Sequence, residues 1–140
     1  MRAVGAWLFL LCFFVADGAA AQDVALPTVT LTTTNIVPRP NSSATGTANL
    51  ALNSSTRQLT WEIVVDGLGS APTGIELERS GPAGPQPAIT LIPGGTAELR
   101  GSVTLTPSAT AELMGGRYTL VLRTAAYPGG ELRGLIPPSR

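Results

Sequence analysis

The stretch Gln58-Leu59-Thr60-Trp61-Glu62-Ile63-Val64-Val65-Asp66-Gly67 decides the fold class. Leu59, Trp61, Ile63 and Val65 fall on one side of an extended chain, and Gln58, Thr60, Glu62 and Val64 on the other. A period of two with one apolar face is the pattern of a half-buried β-strand. Trp61 shares the apolar face, which predicts a place in the core and not a ligand platform. Asp66-Gly67 closes the run as a turn signal.

The same alternation recurs on both sides. Upstream, Val29 to Thr34 is β-branched, and Gly46 to Leu52 sets Ala48, Leu50 and Leu52 against Thr47, Asn49 and Ala51. Asn53-Ser54-Ser55 reads as the turn between that strand and the next. Downstream, Ile75 and Leu77 face inward between outward Glu76 and Glu78, and Ser80 to Pro87 is a Pro- and Gly-rich loop. Ala88 to Ile92 is a short strand followed by a Gly94-Gly95 turn. Ala97 to Leu105 places Leu99, Gly101 and Val103 inward, with Glu98 and Arg100 outward to protect an edge. Arg117 to Thr124 and Glu131 to Ile136 finish the sheet. The one helical segment is 107–114, with Thr106 as cap, Pro107 in the first turn and Gly115-Gly116 at the end. Pro137 and Pro138 stop the last strand, and Ser139-Arg140 is expected to fray. The expectation is an all-β, antiparallel, Greek-key-like sandwich or barrel of about eight strands with one short helix. Its core is Leu50, Leu59, Trp61, Ile63, Val65, Leu99, Val103, Leu120 and Leu122.

The start of the chain reads differently. Arg2 precedes an apolar run from Ala6 to Val15, and Ala19-Ala20-Ala21 offers small residues for a signal peptidase. Ten apolar residues are too few to cross a bilayer core of about 30 Å as a helix. Residues 1–21 therefore read as a signal peptide, and residues 22–140 as one domain with no membrane span after cleavage. The product is expected to be secreted or periplasmic. The only cysteine, Cys12, lies in the leader and there is no histidine, so neither disulfides nor the usual transition-metal ligands are available to the mature chain. Of nine acidic and nine basic residues, Asp17 and Arg2 fall in the leader, leaving a balanced eight of each. Such a chain has no field to attract nucleic acid.

The tail Tyr118-Thr119-Leu120-Val121-Leu122-Arg123-Thr124-Ala125-Ala126-Tyr127-Pro128-Gly129-Gly130-Glu131-Leu132-Arg133-Gly134 resembles the closing motif of the CHRD domain, a family first described in chordin. Gly81-Pro82-Ala83-Gly84 and Thr45-Gly46-Thr47-Ala48 are similar to earlier parts of that family's pattern. The resemblance implies a non-enzymatic binding or structural domain. It also implies a departure: members usually carry His-x-His before the Gly-Pro-Ala-Gly loop and another His late in the penultimate strand. Here Glu76, Glu78 and Arg123 stand in those places. A charge network linking Arg123 to Glu76 or Glu78 is the expected replacement for any metal site.

Physically, Tyr127-Pro128 restricts the backbone, and Gly129 and Gly130 permit positive φ in a tight reversal. Glu131 and Arg133 are two apart and expected on one strand face, pairing with each other or with neighbours. The candidate binding residues are thus Glu76, Glu78, Arg123, Tyr127, Glu131 and Arg133, with no catalytic residue, metal ligand or cofactor assigned. The implied partner is an extracellular or envelope protein or polysaccharide. An alternative remains: a carboxylate-dependent enzyme or Ca²⁺-binding protein using Glu76 and Glu78, about 7 Å apart along a strand. Asn41-Ser42-Ser43 and Asn53-Ser54-Ser55 match glycosylation acceptors, meaningful only in a eukaryotic secretory host. Intact-mass analysis of the exported protein should show a chain beginning at Gln22; a product still carrying Trp7 would refute the leader.

Overall fold

A computed structural model describes residues 23–34, 36, 39–79, 86–93 and 99–139. The expected leader, the 81–84 loop and the Gly94-Gly95 turn lie outside these residues. The described elements are β1 (Asp23–Ala25), β2 (Val29–Leu31), β3 (Thr45–Asn53), β4 (Gln58–Asp66), β5 (Pro72–Arg79), β6 (Gln86–Pro93), β7 (Arg100–Thr104), α1 (Pro107–Met114), β8 (Tyr118–Thr124) and β9 (Leu132–Leu135). They form two antiparallel sheets, one ordered β1-β3-β4-β7 with β2 also on β3, the other ordered β6-β5-β8-β9. The chain runs through β5, β6 and β7, and β8 then returns to pair with β5, which is a Greek-key connection. Among the described residues, no helix is long and apolar enough to cross a membrane.

The β3–β4 hairpin is the longest pairing and organises the core. Leu52 pairs with Leu59, Leu50 with Trp61 and Ala48 with Ile63, all buried on the inner face. Asn53 closes the hairpin, its Oδ1 accepting from the Ser55 and Thr56 amides at 3.0 and 2.9 Å. Ile75, Leu77, Leu120, Leu122 and Leu132 face this layer from the second sheet, each fully shielded. Trp61 is 5% exposed, and its indole N–H finds no hydrogen-bond partner among the described residues. Its ring requires Gly101 on β7: a Cβ there would lie 2.5 Å from Trp61 Cζ2. Val65 and Val103 are half-buried against the core and not inside it.

The two sheets are stitched together where β2 meets β9. Thr32 and Arg133 exchange backbone hydrogen bonds, Thr32 N to Arg133 O at 3.0 Å and Arg133 N to Thr32 O at 2.8 Å. Only a residue without a side chain fits next to this bridge. A Cβ on Gly134 would lie 2.6 Å from the Thr30 carbonyl oxygen and 2.7 Å from Val29 Cγ1.

Several boundaries differ from expectation. The strand expected over Val29 to Thr34 ends at Leu31 and continues only as the single Thr32–Arg133 bridge. β1 adds a ninth strand of three residues, too short to show periodicity. β6 begins at Gln86, inside the expected loop; it pairs only with β5 in its sheet, and an edge strand tolerates Pro87. Of the strand expected over Ala97 to Leu105, Ala97 and Glu98 lie outside the described residues; β7 spans Arg100–Thr104, with Leu99 and Leu105 buried on either side. Ser139 does not fray: its N–H donates to Met114 O at 3.1 Å and its hydroxyl to Met114 Sδ at 3.2 Å.

The helix follows its sequence signals. Thr106 Oγ1 accepts from Ala109 N at 3.1 Å, and Gly116 takes φ +73° just past the end. Leu113 is buried in the core, and Ala109 and Met114 pack against it half-buried. At the helix's C-terminal half, Glu112 accepts from the buried Tyr118 hydroxyl at 3.0 Å and pairs with Arg79 at 2.8 Å. Burial, reinforced by the hydrogen bond and charge of Glu112 and opposed by Arg79, pushes the Tyr118 phenol up to about 12.

Gly134→Ala should destabilise the fold by about 1–3 kcal/mol, because the new methyl must push against backbone. Urea denaturation followed by tryptophan fluorescence measures this; an unchanged midpoint would mean that the β2–β9 seam opens at little cost.

Candidate functional site

The sequence-selected residues separate into two clusters. The first lies on the outer face of the second sheet. β5 carries Glu76 and Glu78 outward because Ile75 and Leu77 occupy the inner side. In the β5–β8 register Gly74 is opposite Arg123 and Glu76 opposite Val121, which in turn pairs with Arg133 on β9. The long Arg123 side chain therefore runs diagonally across β5. Its Nε donates to Glu76 Oε2 at 3.2 Å, its Nη2 to Glu78 Oε1 at 3.0 Å, and its Nη1 to the Pro128 carbonyl at 2.9 Å. Arg133 Nη2 engages the other oxygen of Glu78. Arg123 thus reaches both of the glutamates expected for it.

Solvent access decides what this network is. The Glu78 side chain is 11% exposed, against 25–27% for Glu76, Arg123 and Arg133. A carboxylate so far from water must be compensated by charge and hydrogen bonds. Two guanidinium groups supply both, one on each oxygen. Arg123 also fixes the following turn through Pro128. A cation or general acid–base role for Glu78 would require displacing an arginine from each of its oxygens.

The expected face of β8 needs one correction. Thr119, Val121 and Arg123 do leave the inner core, but Val121 is 2% exposed and Thr119 is also buried. Gly130 lies over Val121: a Cβ there would approach Val121 Cγ1 to 3.1 Å and Ile36 Cδ1 to 3.6 Å. Of the two turn glycines only Gly130 adopts positive φ, at +120°.

The second cluster is at one end of the sandwich. Glu131 and Arg133 do not pair and do not share an exposed face. Glu131 precedes β9, is 0% exposed, and turns toward two other loops. Its carboxylate accepts from Ser42 Oγ at 2.9 Å, Gly69 N at 3.0 Å and Thr124 Oγ1 at 2.9 Å. Thr124 Oγ1 also accepts from the Tyr127 amide at 3.2 Å, and the Tyr127 hydroxyl donates to the Asn41 carbonyl at 2.9 Å. The Ala126 amide donates to Ser70 Oγ at 2.9 Å. Three loops, around residues 41–44, 67–70 and 124–131, are thereby joined through one buried acid. Thr124 lies in the closing motif and Ser42 in an Asn-Ser-Ser triplet, but neither these nor Gly69 carried a signal for this role in the sequence. They are small loop residues whose relevance comes from lying beside a carboxylate that needs donors.

The fold is an antiparallel β-sandwich with a self-neutralised charged face and one end tied by a buried acid. The family model of the CHRD domain matches residues 28–136, most of the chain, and the chain belongs to the CHRD domain family. Domains of this family are generally non-enzymatic. Comparisons with curated proteins and with solved structures return no match. Among the described residues, no group of three or more acidic, Cys or His side chains is placed to hold a metal ion.

Removing Arg123 leaves Glu76 and Glu78 without a shared partner, and Arg123→Ala should cost about 1–3 kcal/mol. A double-mutant cycle with Glu78→Gln should show coupling above about 0.5 kcal/mol. Strict additivity would make the network incidental.

Proposed function

We propose that this chain is an exported, non-enzymatic CHRD-domain module that binds or supports a partner in the cell envelope or extracellular space. The observation that carries the reading is the state of its paired carboxylates. Glu76 and Glu78 are the residues on which a carboxylate mechanism or a Ca²⁺ site would rest, and both are bound by Arg123, Glu78 by Arg133 as well. Carboxylates already held by guanidinium groups must give up those bonds before they can serve fully to activate water or to hold a hard cation. The leader-like start supports export, and the balanced charge supports a partner other than nucleic acid. An envelope protein or a polysaccharide is the partner class this reading names.

Thermal melts distinguish it from the carboxylate alternative. The midpoint should be the same with millimolar Ca²⁺ as with EDTA, because a ligand specific for the native state raises it. A Ca²⁺-dependent rise abolished by Glu78→Gln, or glycoside hydrolysis lost in the same variant, would overturn the non-enzymatic, metal-free reading.

A further inference from the structure

The outer face of the first sheet carries a feature separate from the two clusters described above. Strand alternation turns Ala25, Asn49, Ala51, Thr60, Glu62, Arg100 and Ser102 away from the core. Register then arranges them in rows that run across the strands. Ala25 pairs with Ala51, Ala51 with Thr60, and Thr60 with Ser102. The adjacent row is Asn49, Glu62 and Arg100. The first row is short side chains, three methyls and two hydroxyls, the Thr60 hydroxyl donating to the Ala51 carbonyl at 3.3 Å. The second is long and polar, and Thr28 extends it by donating to Asn49 Oδ1 at 3.0 Å. The result is an open trough of about 480 Å³ with a low floor and a polar wall. Cavities that hold small ligands run from about 300 to 1,000 Å³. The trough's lining runs from Ala25 on β1 to Arg100 on β7; at about 4.8 Å between strands that is about 14 Å, room for a short oligomer.

The wall's chemistry selects the class of occupant. Arg100 Nη2 and Glu62 Oε1 pair at 2.8 Å, with side chains 69% and 46% exposed. An ion pair this open contributes little to stability, so both side chains can turn to a ligand at little cost to the fold. Together with the Asn49 amide it offers planar donors and acceptors side by side and no net charge. An anionic ligand would meet Glu62, and a cationic one Arg100. Vicinal hydroxyls both donate and accept, and they match such forks without a charge conflict. The methyls of Ala25 and Ala51 suit the C–H face of a sugar ring. Trp61 borders the trough from beneath but is 5% exposed, so no aromatic platform adds to the binding.

We infer that this trough binds a neutral oligosaccharide, weakly, through Asn49, Glu62 and Arg100. The inference rests on the binding-module reading and narrows its partner to a glycan at a stated face. The test is a titration of the ¹⁵N-labelled protein with cellohexaose, maltohexaose and mannohexaose, with an oligogalacturonate as the acidic control. At least one neutral hexamer should shift amide signals in 25–28, 49–51, 60–62 and 100–102, with a millimolar Kd. Asn49→Ala and Arg100→Ala should each weaken that Kd about three- to tenfold, the loss of a hydrogen bond, while leaving the melting midpoint in place. Four results overturn the inference: no shift with any neutral hexamer, shifts confined to another face, variants that bind as the parent does, or binding of the acidic oligomer alone. None of these touches the non-enzymatic reading, which stands or falls on the Ca²⁺ melts and the hydrolysis assay.

Discussion

Taking the Glu131 carboxylate out of water costs several kcal/mol unless other groups replace its hydration. Here two hydroxyls and a backbone amide do so, and each comes from a different segment of the chain. No nearby cation shares the task among the described residues. The geometry therefore tolerates little slack: a shift in any one loop strands a buried charge. That demand links the loop before β3, the loop between β4 and β5, and the β8–β9 turn into one end of the sandwich. It also gives a reason for the residue order of the closing motif. Thr124 must supply a hydroxyl, Tyr127 must reach across to Asn41, and Gly130 must swing the chain so that Glu131 points inward.

The ion network on the second sheet meets a related constraint by a different route. Glu78 is held by full charges and not by neutral donors, and the charges come from the same sheet. Such a network is screened less than exposed pairs because most of its atoms are shielded. The first sheet's outer face contrasts with it. There, among the described residues, the Glu62–Arg100 pair bridges β4 to the edge strand β7 in solvent and leaves the face open. A disulfide-free domain of this size has one charged face committed to structure and one left uncommitted.

Periodicity made the sandwich legible. Leu59, Trp61 and Ile63 alternate with polar neighbours, so their burial followed from strand geometry alone, as did the outward direction of Glu76, Glu78 and Arg123. The cap at Thr106 and the stop at Gly115-Gly116 were equally local signals. What the sequence hid was whatever depends on two distant segments meeting. The three residues of β1 have no pattern of their own. Arg133-Gly134 reads as an ordinary strand pair until Thr30 and Thr32 are seen against it. Glu131 looks like a surface acid by spacing, because the donors that draw it inside are 89, 62 and 7 residues away. Ser139 looked loose because its partner, Met114, lies on a helix that only the folded chain brings near.

The β2–β9 bridge joins Thr32 to Arg133, so two of the earliest and latest residues of the domain meet. β8 likewise waits for β5, and Glu131 waits for Ser42. Contacts this distant along the chain are closed late and slowly, since loop entropy must be lost before they form. A polypeptide emerging from a ribosome would hold an unclosed sandwich until β9 had been made. Until then the inner faces of both sheets stay open to water, and the seam at Gly134 locks only after the last strand has arrived.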